Sequence, residues 1–194
     1  MRKAAAFLLS RCVSPELATA AHLAQARELI DFGPVPPRPL AGCPILAGNA
    51  ATLPNDGLHN DRPRPVIPCD SPSLERRHRL AVALFAISRL VPSDAQALLS
   101  IMTATAEYIF LADIKLPERN LELPGNLVLR GLIRPFVPVR RGFLQQGGLE
   151  GAIYAAKDLA PVRRRTLFAG GIQCVLLRAL SKRENGDLDA CSHP

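Results

Sequence analysis

Residues 80–110, LAVALFAISRLVPSDAQALLSIMTATAEYIF, decide how the chain is read. Leu80, Leu84, Ile87 and Val91 fall on one helical stripe. Val82 to Ala86 thicken it until the segment is apolar nearly all round, the pattern of a buried helix. Ser71-Pro72 supplies a start and Pro92 a stop. Ser93-Asp94-Ala95-Gln96 then has the form of a capping box, in which the Ser93 hydroxyl accepts from the third amide and Gln96 reaches back. Behind it Ala95, Leu98, Leu99, Met102, Ala106, Ile109 and Phe110 line one face, and Gln96, Ser100, Thr103 and Glu107 the other. The short Val91-Pro92-Ser93 join predicts an antiparallel helical hairpin. Residues 95–114 are long enough to span a bilayer, but Glu107 and the continuous polar face predict packing against other helices and no integral membrane insertion.

Toward the N-terminus, Gly33 to Pro72 carries ten prolines in forty residues. Each removes an amide donor and fixes φ, which argues against regular helix or central strand and predicts a flexible, disordered linker. Before it, Ser14-Pro15 has the chemistry of a helix start, and Ala20, Leu23, Ala24, Arg27 and Ile30 follow at helical spacing up to Gly33-Pro34. Met1-Arg2-Lys3 and the six apolar residues Ala4 to Leu9 are too short for a secretory leader and form no clear amphipathic face, which leaves organellar targeting by residues 1–32 as an alternative to a plain N-terminal helix. Toward the C-terminus, Pro124-Gly125 suits a type II turn and predicts a short β-hairpin or extended insert near 119–130. Gly147-Gly148 precedes a helix through Leu149, Ala152, Ile153, Ala156 and Leu159. A last helix after Pro161 carries Phe168, Ile172, Val175, Leu176 and Ala179. The expected organisation is a weak N-terminal helix over 1–32, a proline-rich linker over 33–72, a mostly α, basic helical domain over 73–183 and an acidic tail over 184–194.

Charge divides at about the same place. Seven Lys/Arg balance seven Asp/Glu in residues 1–75, whereas seventeen against ten in residues 76–194 give the net +7 of the whole chain. Twenty of the cations are arginine, whose planar fork of donors suits phosphate and carboxylate. Arg76, Arg77 and Arg79 fall in the first turn of one expected helix, and Arg163, Arg164 and Arg165 in the first turn of another. Cations there meet the positive end of the helix dipole, a clash that a bound anion would relieve. Arg140 and Arg141 form a third cluster. The competing explanations are a solvated surface, pairing with acids such as Glu75 and Asp158, or coding bias in a GC-rich gene. With seven Phe, two Tyr and no Trp, base stacking on aromatic platforms is disfavoured.

Enzymatic motifs are missing: no phosphate loop, no G-x-G-x-x-G, no H-E-x-x-H and no G-x-S-x-G. Cys43, His59, Cys69 and His78 lack the paired spacing of a zinc site, so no metal or other cofactor is expected. Cys12, Cys43, Cys69, Cys174 and Cys191 are odd in number and widely spaced, which predicts free thiols in a reducing, intracellular and cytoplasmic setting. The function expected on these grounds is a non-enzymatic binding or adaptor protein whose arginine-rich surface meets nucleic-acid backbone or another polyanion. Two alternatives stay open: a module docking a protein partner through residues 1–72, and an enzyme with an undetected Cys/His site.

Overall fold

A computed structural model describes residues 2–35, 37–41, 43–47, 79–115, 139, 141–168 and 170–180. Its first element is a helix, α1 (Arg2–Leu23), with Pro15 inside it. Strands β1 (Glu28–Asp31), β2 (Ile45–Ala47) and β3 (Arg79–Leu84) follow, then a single 3-10 turn over Ile87–Arg89. Helix α2 (Pro92–Thr105) leads to β4 (Tyr108–Ile114). Two short helices, α3 (Arg141–Gln145) and α4 (Gly148–Ala155), precede the hairpin of β5 (Leu159–Leu167) and β6 (Ile172–Ala179).

The strands form one six-stranded sheet in the order β2-β1-β3-β4-β6-β5. The first four are parallel. β6 runs antiparallel to β4, from Tyr108↔Arg178 to Ile114↔Ile172, and β5 runs antiparallel to β6. Helices cover both faces. Leu9, Val13, Leu17 and Ala20 of α1 pack on the face carrying Leu80, Val82, Leu84, Phe110, Ala112, Ile172, Cys174 and Leu176. Leu98, Leu99 and Met102 of α2, Phe143 of α3, and Leu149, Ala152 and Ile153 of α4 pack on the face carrying Ala81, Ala83, Ile109, Leu111, Val175 and Leu177. The alternation within β3 is one of size, with Leu and Val toward α1 and Ala toward α2, α3 and α4.

The mostly helical domain is thus corrected to an α/β sheet with helices on both faces. The apolar run 79–84 is a strand because a segment buried on both faces reads as apolar at every position, so periodicity cannot separate it from a buried helix. The expected helical hairpin is instead a β3–α2–β4 unit with parallel strands. Its helix lies where the spacing put it, but Pro92 is its first residue and Val91 its N-cap, with no side-chain cap. Residues 108–110, assigned to that helix, begin β4. The last expected helix is the β5–β6 hairpin: Phe168 and Gly170 take left-handed φ of 54° and 87°, and Gly171 N–H returns to the Phe168 carbonyl at 3.0 Å. Ile30, placed in the first helix by spacing, lies in β1, and residues 45–47 within the proline-rich stretch form β2. The hairpin or insert expected at 119–130 and the tail at 184–194 lie outside the described residues. Among those described, no helix is long and apolar enough to cross a membrane.

Packing of this kind makes the centre of the sheet the most sensitive place in the molecule. Phe110→Ala in β4 should cost about 3–5 kcal/mol in denaturant unfolding, through lost burial and a cavity. Tyr154→Ala on α4, where the side chain is 90% exposed, should stay within about 0.5 kcal/mol.

Candidate ligand crevice

The chain leaves β1 for its neighbour β2 and then returns to β3 on the other side of β1. Connections therefore diverge between β1 and β3. In open parallel sheets a crevice forms at that point, outside the carboxyl ends of the strands. Three of those ends carry unusual local structure.

At the end of β1, Asp31 is buried at 5% exposure, and its Oδ1 accepts the Gly33 N–H at 2.9 Å. Phe32 N–H donates to the Val82 carbonyl at 2.8 Å, which prolongs the β1–β3 ladder. Gly33 then lies directly on β3. A Cβ there would sit 2.5 Å from the Leu84 amide nitrogen and 3.0 Å from the Leu84 carbonyl oxygen, so backbone meets backbone and only glycine fits. From this point to β2 the chain runs through Pro34, Pro36, Pro37, Pro39 and Pro44. Among the described residues this crossover contains no helix, so it offers neither a helix N-terminus nor a fan of amide donors.

At the ends of β3 and β4 the chain is tied by a carboxylate. Phe85 turns with φ of 54° and donates its N–H to the Ala112 carbonyl at 2.7 Å. Asp113, only 1% exposed, accepts the Ser88 N–H on Oδ2 at 2.9 Å and the Ile114 N–H on Oδ1 at 2.8 Å. Burial pushes its carboxyl up to about 6, against the opposing pull of its hydrogen bonds with Ser88 and Ile114. Lys115, also buried, follows it and joins β4 to the β5–β6 turn through its N–H to the Gly171 carbonyl at 3.0 Å.

The arginines named from sequence are not gathered here. Arg76, Arg77 and Arg140 lie outside the described residues. Arg79 opens β3, with its Nε 3.1 Å from Glu28 Oε2 of β1. Arg141 is the exposed first residue of α3. Arg163, Arg164 and Arg165 occupy β5, not a helix start, and a strand sends alternate side chains to opposite faces. Arg163 reaches Glu16 of α1 at 3.5 Å, whereas Arg164 reaches Glu150 of α4 at 3.2 Å on the other side. At Arg163, Arg164 and Arg165 the dipole clash that called for an anion is absent, and two of these three cations have internal acids. The expected non-enzymatic adaptor for nucleic-acid backbone loses its physical basis and is corrected.

The Cys/His alternative gains nothing from Cys43 or Cys174. Burial raises Cys43, and raises Cys174 to about 12, which leaves both as unreactive thiols at neutral pH. His59, Cys69, His78 and Cys191 lie outside the described residues. Among those described, no group of three or more His, Cys, Asp or Glu is placed to hold a metal. An open depression of about 480 Å³ lined by Pro39, Leu40, Cys43, Pro44 and Ile45 lies at the amino end of β2, away from the crevice. Asp31, Gly33 and Asp113 were not singled out from sequence. The available signal was an acid at the last position of Glu28–Asp31 and at the penultimate position of Tyr108–Ile114, with Gly33 two residues beyond the first.

No family model matches the chain, and no curated protein matches it. Several solved structures are similar at low identity. OxaC in complex with SAH and oxaline is 12% identical with a TM-score of 0.48, over 84% of this chain and 46% of that one. OxaC by itself gives 13% and 0.47, over 79% and 42%. The methyltransferase domain of bacterial CtHen1-CN gives 12% and 0.43, over 88% and 99%. This chain spans under half the length of the OxaC chains it matches. Likenesses of this size assign no function by themselves.

Asp113 makes the stability of the fold depend on pH. In the unfolded chain its carboxyl ionises near 3.8, and in the native state near 6, so the native state holds the extra proton between those values. Stability contributed by the neutral form is complete below 3.8 and is lost as pH rises through about 6. The loss is about 3 kcal/mol at full ionisation. Urea unfolding between pH 4 and 8 should show this fall for the native sequence and a flatter profile for Asp113→Asn.

Proposed function

We propose that the chain is an enzyme that binds a phosphate-free nucleoside ligand of the S-adenosyl type in the crevice at the carboxyl ends of β1 and β3. The observation that carries this reading is the divergence of the chain between those two strands, the position at which open parallel sheets hold their ligands. Asp31 and Gly33 are the residues that would hold it. Gly33 lets the backbone run flat against β3, and Asp31 offers a buried carboxylate suited to a hydroxyl or cationic group. The proline-rich crossover disfavours a phosphate, because it supplies no helix dipole and few amide donors. An S-adenosyl ligand fits these residues better than a nucleotide does. Such a group, when bound, supplies a methyl on a cationic sulfur for transfer to a nucleophile. The free thiols Cys12, Cys43 and Cys174 support placing the protein in a reducing, cytoplasmic compartment.

SAH and sinefungin, the molecules solved with OxaC, are the probes to use first. Calorimetric titration of the full chain should give saturable binding of SAH, with ADP and NAD failing to compete. Asp31→Asn keeps an acceptor for the Gly33 N–H and removes the charge. It should weaken SAH binding roughly tenfold to a hundredfold, the cost of a lost charged hydrogen bond. Saturable binding of ADP or NAD with none of SAH would favour a nucleotide-binding protein, and binding of none of them at millimolar concentration would refute the reading.

A further inference from the structure

The 3-10 turn over Ile87–Arg89 is capped from a distance. Its N-cap, Ala86, has no side-chain oxygen, so the first amides of this buried turn need an acceptor from elsewhere. Asp113 of β4 supplies it. Oδ2 takes the Ser88 N–H at 2.9 Å, Ile87 bonds to the same carboxyl group, and Oδ1 takes the Ile114 N–H at 2.8 Å. Just before the turn, the Phe85 N–H meets the Ala112 carbonyl at 2.7 Å. β4 lies on the side of β3 away from β1, so both ties draw the chain leaving β3 away from the crevice. On the crevice side Gly33 rests on the Leu84 backbone with no room for a Cβ. The end of β1 and the start of the turn therefore meet without slack.

We propose that Asp113 is a positioning residue for the crevice: by tying Ser88 to the end of β4 it fixes the wall that the turn after β3 presents to the ligand, and release of that tie weakens binding. The inference rests on the reading that an S-adenosyl ligand occupies the crevice. Asp113 is too deeply buried to touch a ligand. It acts through the backbone from Ser88 to Leu84, and from there on Gly33 and Asp31. The tie has a built-in release. Ile109 and Leu111 face α2, α3 and α4, and alternation along β4 puts Asp113 on the same face. The elements around it carry Arg89, Asp94, Arg141 and Glu150, with Arg164 paired to Glu150 and Lys115 two residues further along. None of these charges sets the ionisation of Asp113, which burial raises and hydrogen bonds lower. Its ionised form must therefore draw in water. The turn it caps closes on only two backbone bonds of its own, Arg89 N–H to Ala86 and Leu90 N–H to Ile87, at 3.1 and 3.2 Å, and lifts most readily to admit that water.

Nuclear magnetic resonance of the full native chain across a pH series tests the coupling without a ligand. The Ser88 and Gly33 amide shifts should move together, with a midpoint near 6. In Asp113→Asn both should stay still. In Asp31→Asn both should still move, which shows that Asp31 is not the source. Calorimetric titration with SAH tests the consequence. With only the neutral form holding the wall, the native dissociation constant should rise about tenfold from about pH 5 to about pH 7, in step with the falling neutral fraction. It should stay level for Asp113→Asn. Asp31→Asn should bind more weakly at each pH and keep the same rise. Should Asp113→Asn fold poorly, the native pH series in the two measurements decides alone. A Gly33 shift that stays still while Ser88 titrates, a level native affinity for SAH, or a rise that survives in Asp113→Asn would each overturn the inference. Absence of SAH binding at every pH, with Gly33 still following Ser88, would overturn the ligand reading and leave the coupling standing.

Discussion

Because β3 and β4 bury a side chain at nearly every position, neither face of the sheet can be left to water. The remaining architecture follows from that demand. One face is closed by α1, whose alanines let the helix come close to Leu80, Val82, Leu84 and Phe110. The other is closed by α2, α3 and α4, and there β3 offers only Ala81 and Ala83, which leaves volume for Leu98, Leu99, Met102 and Phe143. A parallel pair also cannot be joined by a tight turn, so β3 and β4 require the intervening helix α2. The reversal between β1 and β3, and the crevice at their ends, depend on this buried centre.

Much of the helical part was legible in the sequence. Residues 92–105 and 148–155 show apolar positions at helical spacing and are helices. The strands were not legible, for two physical reasons. β3 and β4 are apolar on both sides and so carry no period. Ile172, Val175, Leu176 and Ala179 of β6 fall at helical spacing by accident, and the cue that separates the two strands is Gly170-Gly171, which forms the turn between them. The arginine clusters were visible, but their meaning depended on placement: on a helix start they ask for an anion, and on an alternating strand they are divided between two faces. Asp31 carried no signal of its own, and Gly33 served only as the stop of an expected helix, because the crossover after β1 has prolines where a glycine-rich loop would have drawn attention.

The arginines of β5 and β6 then acquire a structural setting. Glu16, Glu150 and Glu107 each approach one of them, and each ion pair links the C-terminal hairpin to a different part of the chain. Exposed pairs of this kind contribute little to stability. Glu150 also accepts a hydrogen bond from Gln173, a buried side chain of β6, so α4 is held to the sheet by more than its apolar contacts.

The packing of α1 against β6 has a consequence for the order in which the molecule is made. Leu9, Val13 and Leu17 are near the start of the chain, yet Ile172, Cys174 and Leu176, which complete their environment, are among the last described residues to emerge during synthesis. At ordinary translation rates the first helix waits roughly 8–30 s for those partners. During that interval an apolar surface is left uncovered, and a chaperone or a neighbouring nascent chain can reach it before the closing strands do.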